Sequence, residues 1–391
     1  MTGFERYWAL DPSVVHLNHG SFGAVPKAVL EAQNELRARV EKNSMQFFIR
    51  DLEGLLDETR VALGRFVHAA PKDLVFVPNA TTGVNAVLRS LQFRAGDELL
   101  TTDHEYNACK NVLEHAAASA GAKVVVAKVP FPLASEDEVV AAILEKVTPR
   151  TRILLVDHVT SPTGLVFPVA KIAAEMAARN VDVLVDGAHA PGMLDLSLEA
   201  LSPHVAFYTA NCHKWLCSPK GSAFLWVRED RQAEVRPHVI SHGQNVPRSD
   251  RPRFHLEFDW PGTQDFTAPL CIPASIELLQ DVCPTWRERN RALALEARKL
   301  LCEALDVPPP APESMIGSLA ALPLPDGEVR PFNPRYGDIL QDEIFREHHI
   351  EVPVFPWPAP PKRLIRVSAQ LYNTRDQYEL LADVLKKKLR R

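Results

Sequence analysis

Between residues 74 and 227, short apolar runs alternate with stretches in which apolar positions recur every three or four residues. The runs LVFV (74–77), ELLTT (98–102), KVVVAKV (123–129), RILLVDHV (152–159), VDVLVD (181–186), VAFYT (205–209) and SAFLWV (222–227) have strand length and are largely apolar on both alternating faces. Strands of that kind belong in a sheet buried on both sides. Helical patterns at 83–91, 107–120, 136–147 and 169–180 lie between most of them. The alternation predicts an α/β domain with a mainly parallel seven-stranded sheet covered on both faces.

Beyond about 270 the pattern changes. A helical stretch at 285–305 is followed by the Pro-rich break DVPPPAPES, a strand SLAALPL, a helix GDILQDEIFREHH and a strand IEVPVF. The turn PWPAPPK, a strand RLIRVSA and a last helix from 374 complete the chain. These elements predict a smaller α+β domain. The expected division is therefore a large domain over 15–270 and a small one over 271–391, with segment 1–14 packing on the latter. A helix near 26–42 is expected beside the small domain or across a dimer interface.

Ligands of such sheets bind outside the carboxyl ends of the strands. Thr81, Tyr106, Ser161, Asp186 and Lys214 fall at those ends. VDVLVD ends on Asp186, and 28 residues later the polar turn after VAFYT carries Lys214. Alone, each reads as a strand-end acid or a surface lysine. Together they suit pyridoxal phosphate, with the amine holding it as a Schiff base and the carboxylate keeping its pyridine nitrogen protonated. A protonated ring spreads the charge of an α-carbanion, and burial or a nearby cation helps the lysine shed its proton. In PNATTGVNAVLRSL, Thr81, Thr82 and Gly83 fall at a helix start, where backbone N–H groups and the helix dipole favour phosphate. The same triplet serves equally as an N-cap. Asn211 and His213 add donors, and WPGTQD, with Gly262 and Thr263, is either a further donor loop or an ordinary turn.

Composition narrows the classes. The chain has 391 residues, 46% of them hydrophobic, and a net charge of −5, which gives no electrostatic case for nucleic acid or an anionic membrane. No apolar run approaches the roughly 20 residues of a spanning helix, and the N-terminal residues lack the basic-then-apolar order of a signal peptide. Six cysteines without paired or metal-ligand spacing read as reduced thiols of a cytoplasmic protein.

The motifs NATTG, EYNA, DHVTSPTG, VDGAHAPG, NCHKW, WPGTQD and IRVSAQLYNT, in this order and spacing, resemble fold-type I pyridoxal phosphate enzymes and, more narrowly, class V aminotransferases. NHGSFG (18–23), SPTG and NCHKW look like the isopenicillin N epimerase-like branch, which also holds cysteine desulfhydrases and carbon–sulfur lyases. The resemblance covers about 15–375. It implies Lys214 as the Schiff-base lysine, Asp186 on the pyridinium nitrogen and His189 on the phenolic oxygen. Ser161 stands where cysteine desulfurases often have Asn, which leaves its contact to that oxygen open. Tyr106 takes the ring-stacking place, with His104 as its rival. Thr81, Thr82, Gly83, Asn211 and His213 would bind phosphate. Thr263 would reach a neighbouring subunit's phosphate, which implies a homodimer with active sites at the interface. Arg366 would clamp the substrate carboxylate.

The same comparison exposes a departure. Cysteine desulfurases carry a nucleophilic Cys on a loop upstream of the carboxylate-binding arginine, yet residues 303–391 contain none. Cys212 and Cys217 flank the lysine and read as small buried apolar residues. The implied activity is an amino-acid epimerase or racemase, with a carbon–sulfur lyase or cysteine desulfhydrase next and an aminotransferase after that. A cofactor-binding protein without turnover is disfavoured by the intact Lys214, Asp186 and Arg366. The second acid or base of an epimerase is open between Tyr106, His19 and water. Asn18, His19, Phe47, Phe48, Arg50, Trp215, His242 and the loop 355–362 are the positions expected to set the substrate. Arg50 is either a partner for a distal carboxylate or a helix surface charge.

Overall fold

The structure is a computed structural model, and it describes residues 3–327 and 338–389. The seven apolar runs form one sheet in the order Leu74–Val77, Ala223–Val227, Phe207–Asn211, Asp182–Asp186, Thr151–Asp157, Glu98–Thr102, Lys123–Ala127. All neighbouring pairs are parallel except the two made by Ala223–Val227. The exception has a local cause. Residues 212–222 return the chain directly, without a crossover helix, and a short return pairs antiparallel. Helices Ala80–Ser90, Asn107–Ala120, Glu136–Leu144 and Val169–Ala177 join the other strands. Leu154, Val156, Val183 and Val185 in the central strands are wholly buried, and each such burial stabilises the fold by about 1.5–3 kcal/mol.

Two boundaries differ from the sequence reading. The strand expected at 205–209 is Phe207–Asn211, so Asn211 is its last residue and not part of the turn. The helix expected from 83 begins at Ala80, because the side chain of Asn79 accepts from the Thr82 N–H and takes the N-cap place from the threonines.

After residue 271 a three-stranded antiparallel sheet, ordered Val354–Pro356, Arg363–Ser368, Leu319–Leu324, packs with helices Trp286–Leu305 and Arg375–Leu389. The run IEVPVF is split. Ile350–Glu351 pairs in parallel with Val15–His16, and Val354–Pro356 joins the antiparallel sheet. Pro353 lies between the two pieces and has no N–H for a ladder, while its carbonyl accepts from the Arg366 N–H. The helix expected at 337–349 is Ile339–His348, capped by Asp338; its first expected residue lies outside the described residues. Phe4 lies under the Arg289 guanidinium and Trp8 packs edge-on against Tyr372, while Leu17 is buried with Ile350, Ile365 and Val367. Helix Lys27–Lys42 packs against Thr267–Leu270 and Ile272–Val282. Among the described residues no helix is long and apolar enough to cross a membrane.

Candidate active site

At the carboxyl ends of the parallel strands lies a cleft of about 570 Å³, lined by Thr81, Thr82, Tyr106, Ser161, Asp186, His189, Asn211, His213 and Lys214 among others. Residues scattered over more than a hundred positions thus meet at one place. The turn carrying Lys214 is pressed into shape from two sides. Gly23 has φ +69°, and a Cβ there would stand 2.1 Å from the His213 carbonyl oxygen. Gly192 has φ +84°, and a Cβ there would meet the Trp215 carbonyl at 2.5 Å. Only glycine permits both the left-handed backbone and the approach.

His189 Nδ1 accepts from the Trp215 indole N–H at 3.2 Å. Burial holds His189 neutral, its pKa well below the ordinary value, so the ring proton sits on Nε2. That nitrogen is 3.1 Å from Lys214 Nζ and donates to it, which requires the lysine as free amine. Burial first, and the nearby Arg366 charge second, push the Lys214 pKa down to about 8. The amine therefore reaches its nucleophilic form close to neutrality.

Asp186 receives the Ala188 N–H on Oδ1 at 2.9 Å and the Cys109 thiol on Oδ2 at 3.1 Å. Burial pushes its carboxyl upward, against those two bonds and the Lys214 charge. Carboxylate oxygens of Glu105 and Asp186 and the Cys109 sulfur all lie within 4.8 Å of one another. Asp157 ends the adjacent strand as the register partner of Asp186 and also lines the cleft. At the other end of the cleft, Thr81 and Thr82 stand in the first turn of the 80–90 helix. Asn211 Oδ1 accepts from the Ala80 N–H at 2.8 Å, and His213 Nδ1 is on the Ser222 carbonyl at 3.0 Å. These side chains join helix-start amides to the lysine turn, an arrangement suited to a phosphate.

Arg366 is buried. Its Nη1 donates to the Ser161 carbonyl at 2.5 Å and to Ser161 Oγ at 3.2 Å, and its Nη2 to Ser21 Oγ at 3.1 Å. Its Nε has no partner among the described residues. Both serines line the cleft.

Other expected residues lie elsewhere. His104 is enclosed, bonded to Thr163 Oγ1 and the Val129 carbonyl and packed against Trp357, while Tyr106 is 48% exposed and lines the cleft. Of the two, Tyr106 is the one open to the cleft. His19 does not line the cleft. Its Nδ1 meets the Tyr372 hydroxyl at 2.9 Å and its Nε2 the Lys214 carbonyl at 3.0 Å, behind the lysine turn. Burial drops its pKa to about 3, so it is a neutral clamp and no acid for the cleft. Asn18 bonds to Ser21 and Glu351, Arg50 is exposed on the segment Gln46–Asp51, and Gly83 is packed against Thr209. Thr263 is exposed and outside the cleft. The lining residues that the sequence reading did not single out include Asp157, Ser21, Phe22 and His238. Asp157 fell inside the run read as RILLVDHV (152–159), and only the structure ends that strand on the acid, as it does at Asp186. His238 sits in an irregular loop and carried none.

A family model described as Aminotransferase class-V matches residues 21–254. The chain is 36% identical to the isopenicillin N epimerase of Amycolatopsis lactamdurans over 97% of its own length and 96% of the relative's. It belongs to the class-V aminotransferase family. A further class-V relative, the putative L-cysteine desulfhydrase 1 of Oryza sativa subsp. japonica, is 30% identical, covering 98% of this chain and 84% of the relative. The class-V fold seen here also matches an apo cysteine desulfurase from Thermococcus onnurineus with a TM-score of 0.80 at 20% identity, over 99% and 97% of the two chains. A cystine C–S lyase in complex with cysteine persulfide matches with a TM-score of 0.78 at 22% identity, over 96% and 98%. Pyridoxal 5′-phosphate is the cofactor of this class-V enzyme. The residues fit it: a buried amine with a lowered pKa, helix-start donors in the same cleft, and a buried carboxyl, Asp157, whose Oδ2 has no partner among the described residues.

Proposed function

We propose that the chain is an epimerase or racemase acting at the α-carbon of an amino acid. One observation carries the reading. Lys214 and Tyr106, both in the cleft, follow strands that flank the two strands ending in Asp157 and Asp186, so protic groups rise from either side of that pair. When bound, pyridoxal phosphate supplies the electron sink for charge at the α-carbon. Lys214 holds the cofactor and moves the α-proton. Asp186 faces the ring nitrogen, His189 the phenolic oxygen, and Thr81, Thr82, Asn211 and His213 the phosphate. Arg366 orients the substrate carboxylate from its seat on Ser161 and Ser21. Tyr106 stacks on the ring and returns the proton from the side away from Lys214. A homodimer, with Thr263 reaching the partner's phosphate site, and a cytoplasmic location complete the proposal.

Similarity to a desulfhydrase supports a second reading, β-elimination at a carbon–sulfur bond, which needs Lys214 and a good leaving group. Both readings exclude direct sulfur capture. No cysteine is among the residues lining the cleft, and burial drives the thiols of Cys212 and Cys217 upward, the latter to about 12. An amino-acid panel in heavy water tests the proposal. The expected product is inverted, α-deuterated amino acid. A keto acid with ammonia and free thiol selects the lyase, and alanine with a protein persulfide overturns both.

A further inference from the structure

Two carboxyls, Asp157 and Asp186, line the cleft, a third, Glu105, lies within 4.8 Å of Asp186, and the three are not equivalent. Asp186 has a donor on each oxygen, the Ala188 N–H at 2.9 Å and the Cys109 thiol at 3.1 Å. Asp157 is 3% exposed and lines the cleft, yet its Oδ2 has no hydrogen-bond partner among the described residues. Glu105 is 7% exposed; its Oε2 has a long bond from Thr101 at 3.5 Å and its Oε1 has none. Around Asp157 the groups that bear on its charge are Glu105 and Asp186, which disfavour the anion, and Lys214, which favours it. Carboxylates this close in a dry site do not all ionise. Donors reach all three, but Asp186 holds the close pair on its two oxygens, and that favours it as the anion. Burial and the neighbouring acids raise Asp157 and Glu105 well above the ordinary carboxyl range, whereas Asp186 is raised less.

We propose that the cofactor site rests on an unlike pair of carboxyls: Asp186 works as the anion, and Asp157, its register partner on the next strand, is a positioning residue that works as a neutral acid whose hydroxyl meets the bound cofactor. The inference rests on Asp186 facing the ring nitrogen. It gives a function to the buried oxygen of Asp157, which a protonated carboxyl can supply as donor and an anion cannot. The site thereby keeps one negative charge beside the ring and not three.

The two acids should answer differently to the same substitution. Asp157→Asn keeps a neutral donor, so the dissociation constant for pyridoxal phosphate should stay within about threefold of the parent, while Asp157→Ala should weaken it about tenfold or more. Asp186→Asn should lose affinity and change the visible spectrum of the bound cofactor. In the holoenzyme at neutral pH, the infrared carbonyl band of a protonated carboxylic acid should be present and should lose one component in Asp157→Asn. Equal affinities for the Asn and Ala variants at 157, or an infrared band unaltered by Asp157→Asn, would overturn the proposal while leaving Asp186 in place. Parent-like affinity and spectrum in Asp186→Asn would overturn both assignments. If Asp157→Ala does not fold, the infrared comparison decides alone.

Discussion

His189 stands between Trp215 and Lys214, taking the indole N–H on one ring nitrogen at 3.2 Å and facing the lysine Nζ with the other at 3.1 Å. The indole sets the tautomer, and a ring that presents Nε2–H joins burial and the Arg366 charge in favouring the free amine. A His189 with its lone pair on Nε2 would welcome an ammonium; this one welcomes an amine. Competitive acetylation of the cofactor-free chain should therefore show Lys214 half-reactive near its pKa of about 8. Trp215→Phe, which releases the tautomer, should move that midpoint upward. The sign for stability follows from the same shift. The folded state binds the Lys214 proton less tightly than the unfolded chain, so the cost is present below about 8 and is relieved as pH rises toward the ordinary value of 10.5. An unshifted lysine would refute the arrangement.

Asp186→Asn is expected to leave the thermal midpoint near the parent's, since the amide is nearly isosteric and removes charge from a crowded acidic floor. Turnover should fall by about 10³-fold or more, because the amide cannot stabilise a pyridinium by charge. Steady-state kinetics beside an unfolding curve checks both halves; near-parent turnover contradicts the assignment.

Arg366→Ala is expected to raise the substrate dissociation constant by the equivalent of about 2–5 kcal/mol, the usual loss when a buried charged contact is truncated. Cofactor content should hold, because the guanidinium is seated on Ser161 and Ser21 and not on the phosphate end. A variant that loses cofactor but keeps its substrate affinity would reassign the residue.

Gly23→Ala probes packing alone. Its Cβ would lie 2.1 Å from the His213 carbonyl at a φ of +69°, so the lysine turn must shift. Overpacking of this kind costs about 1–3 kcal/mol. The thermal midpoint should drop, and borohydride reduction followed by peptide mapping should recover less label on Lys214 than in the parent. Full labelling would show that the turn tolerates the displacement.

The sheet was legible because its strands are buried on both faces and announce themselves as unbroken apolar runs. Asp186 and Lys214 were legible because each ends or follows such a run. The reading failed where a side chain overrode the run. Asn79 capped a helix assigned to begin later, and Pro353 cut a strand read as continuous. His19 shows a different limit: a histidine beside a glycine-rich turn reads as a candidate acid until its two nitrogens are seen to be spent on Tyr372 and a backbone carbonyl. Asp157 was hidden because the run read as a strand continues through His158 and Val159, so the strand end that exposes the acid is a feature of the structure and not of the run.

The clamp on the lysine turn also orders events in time. His19 and Gly23 precede Lys214 by about 190 residues and Tyr372 follows it by about 160; His19 and Gly23 close on the lysine turn, and Tyr372 holds His19 there. A ribosome emits these pieces in sequence, so the amine is set only once translation has passed Tyr372. Nascent chains should then be inert toward the cofactor, and ribosome-bound chains stalled before residue 372 should fail to retain it while released full-length chains capture it; retention by the stalled chains would separate the lysine's poise from the closing of the two ends.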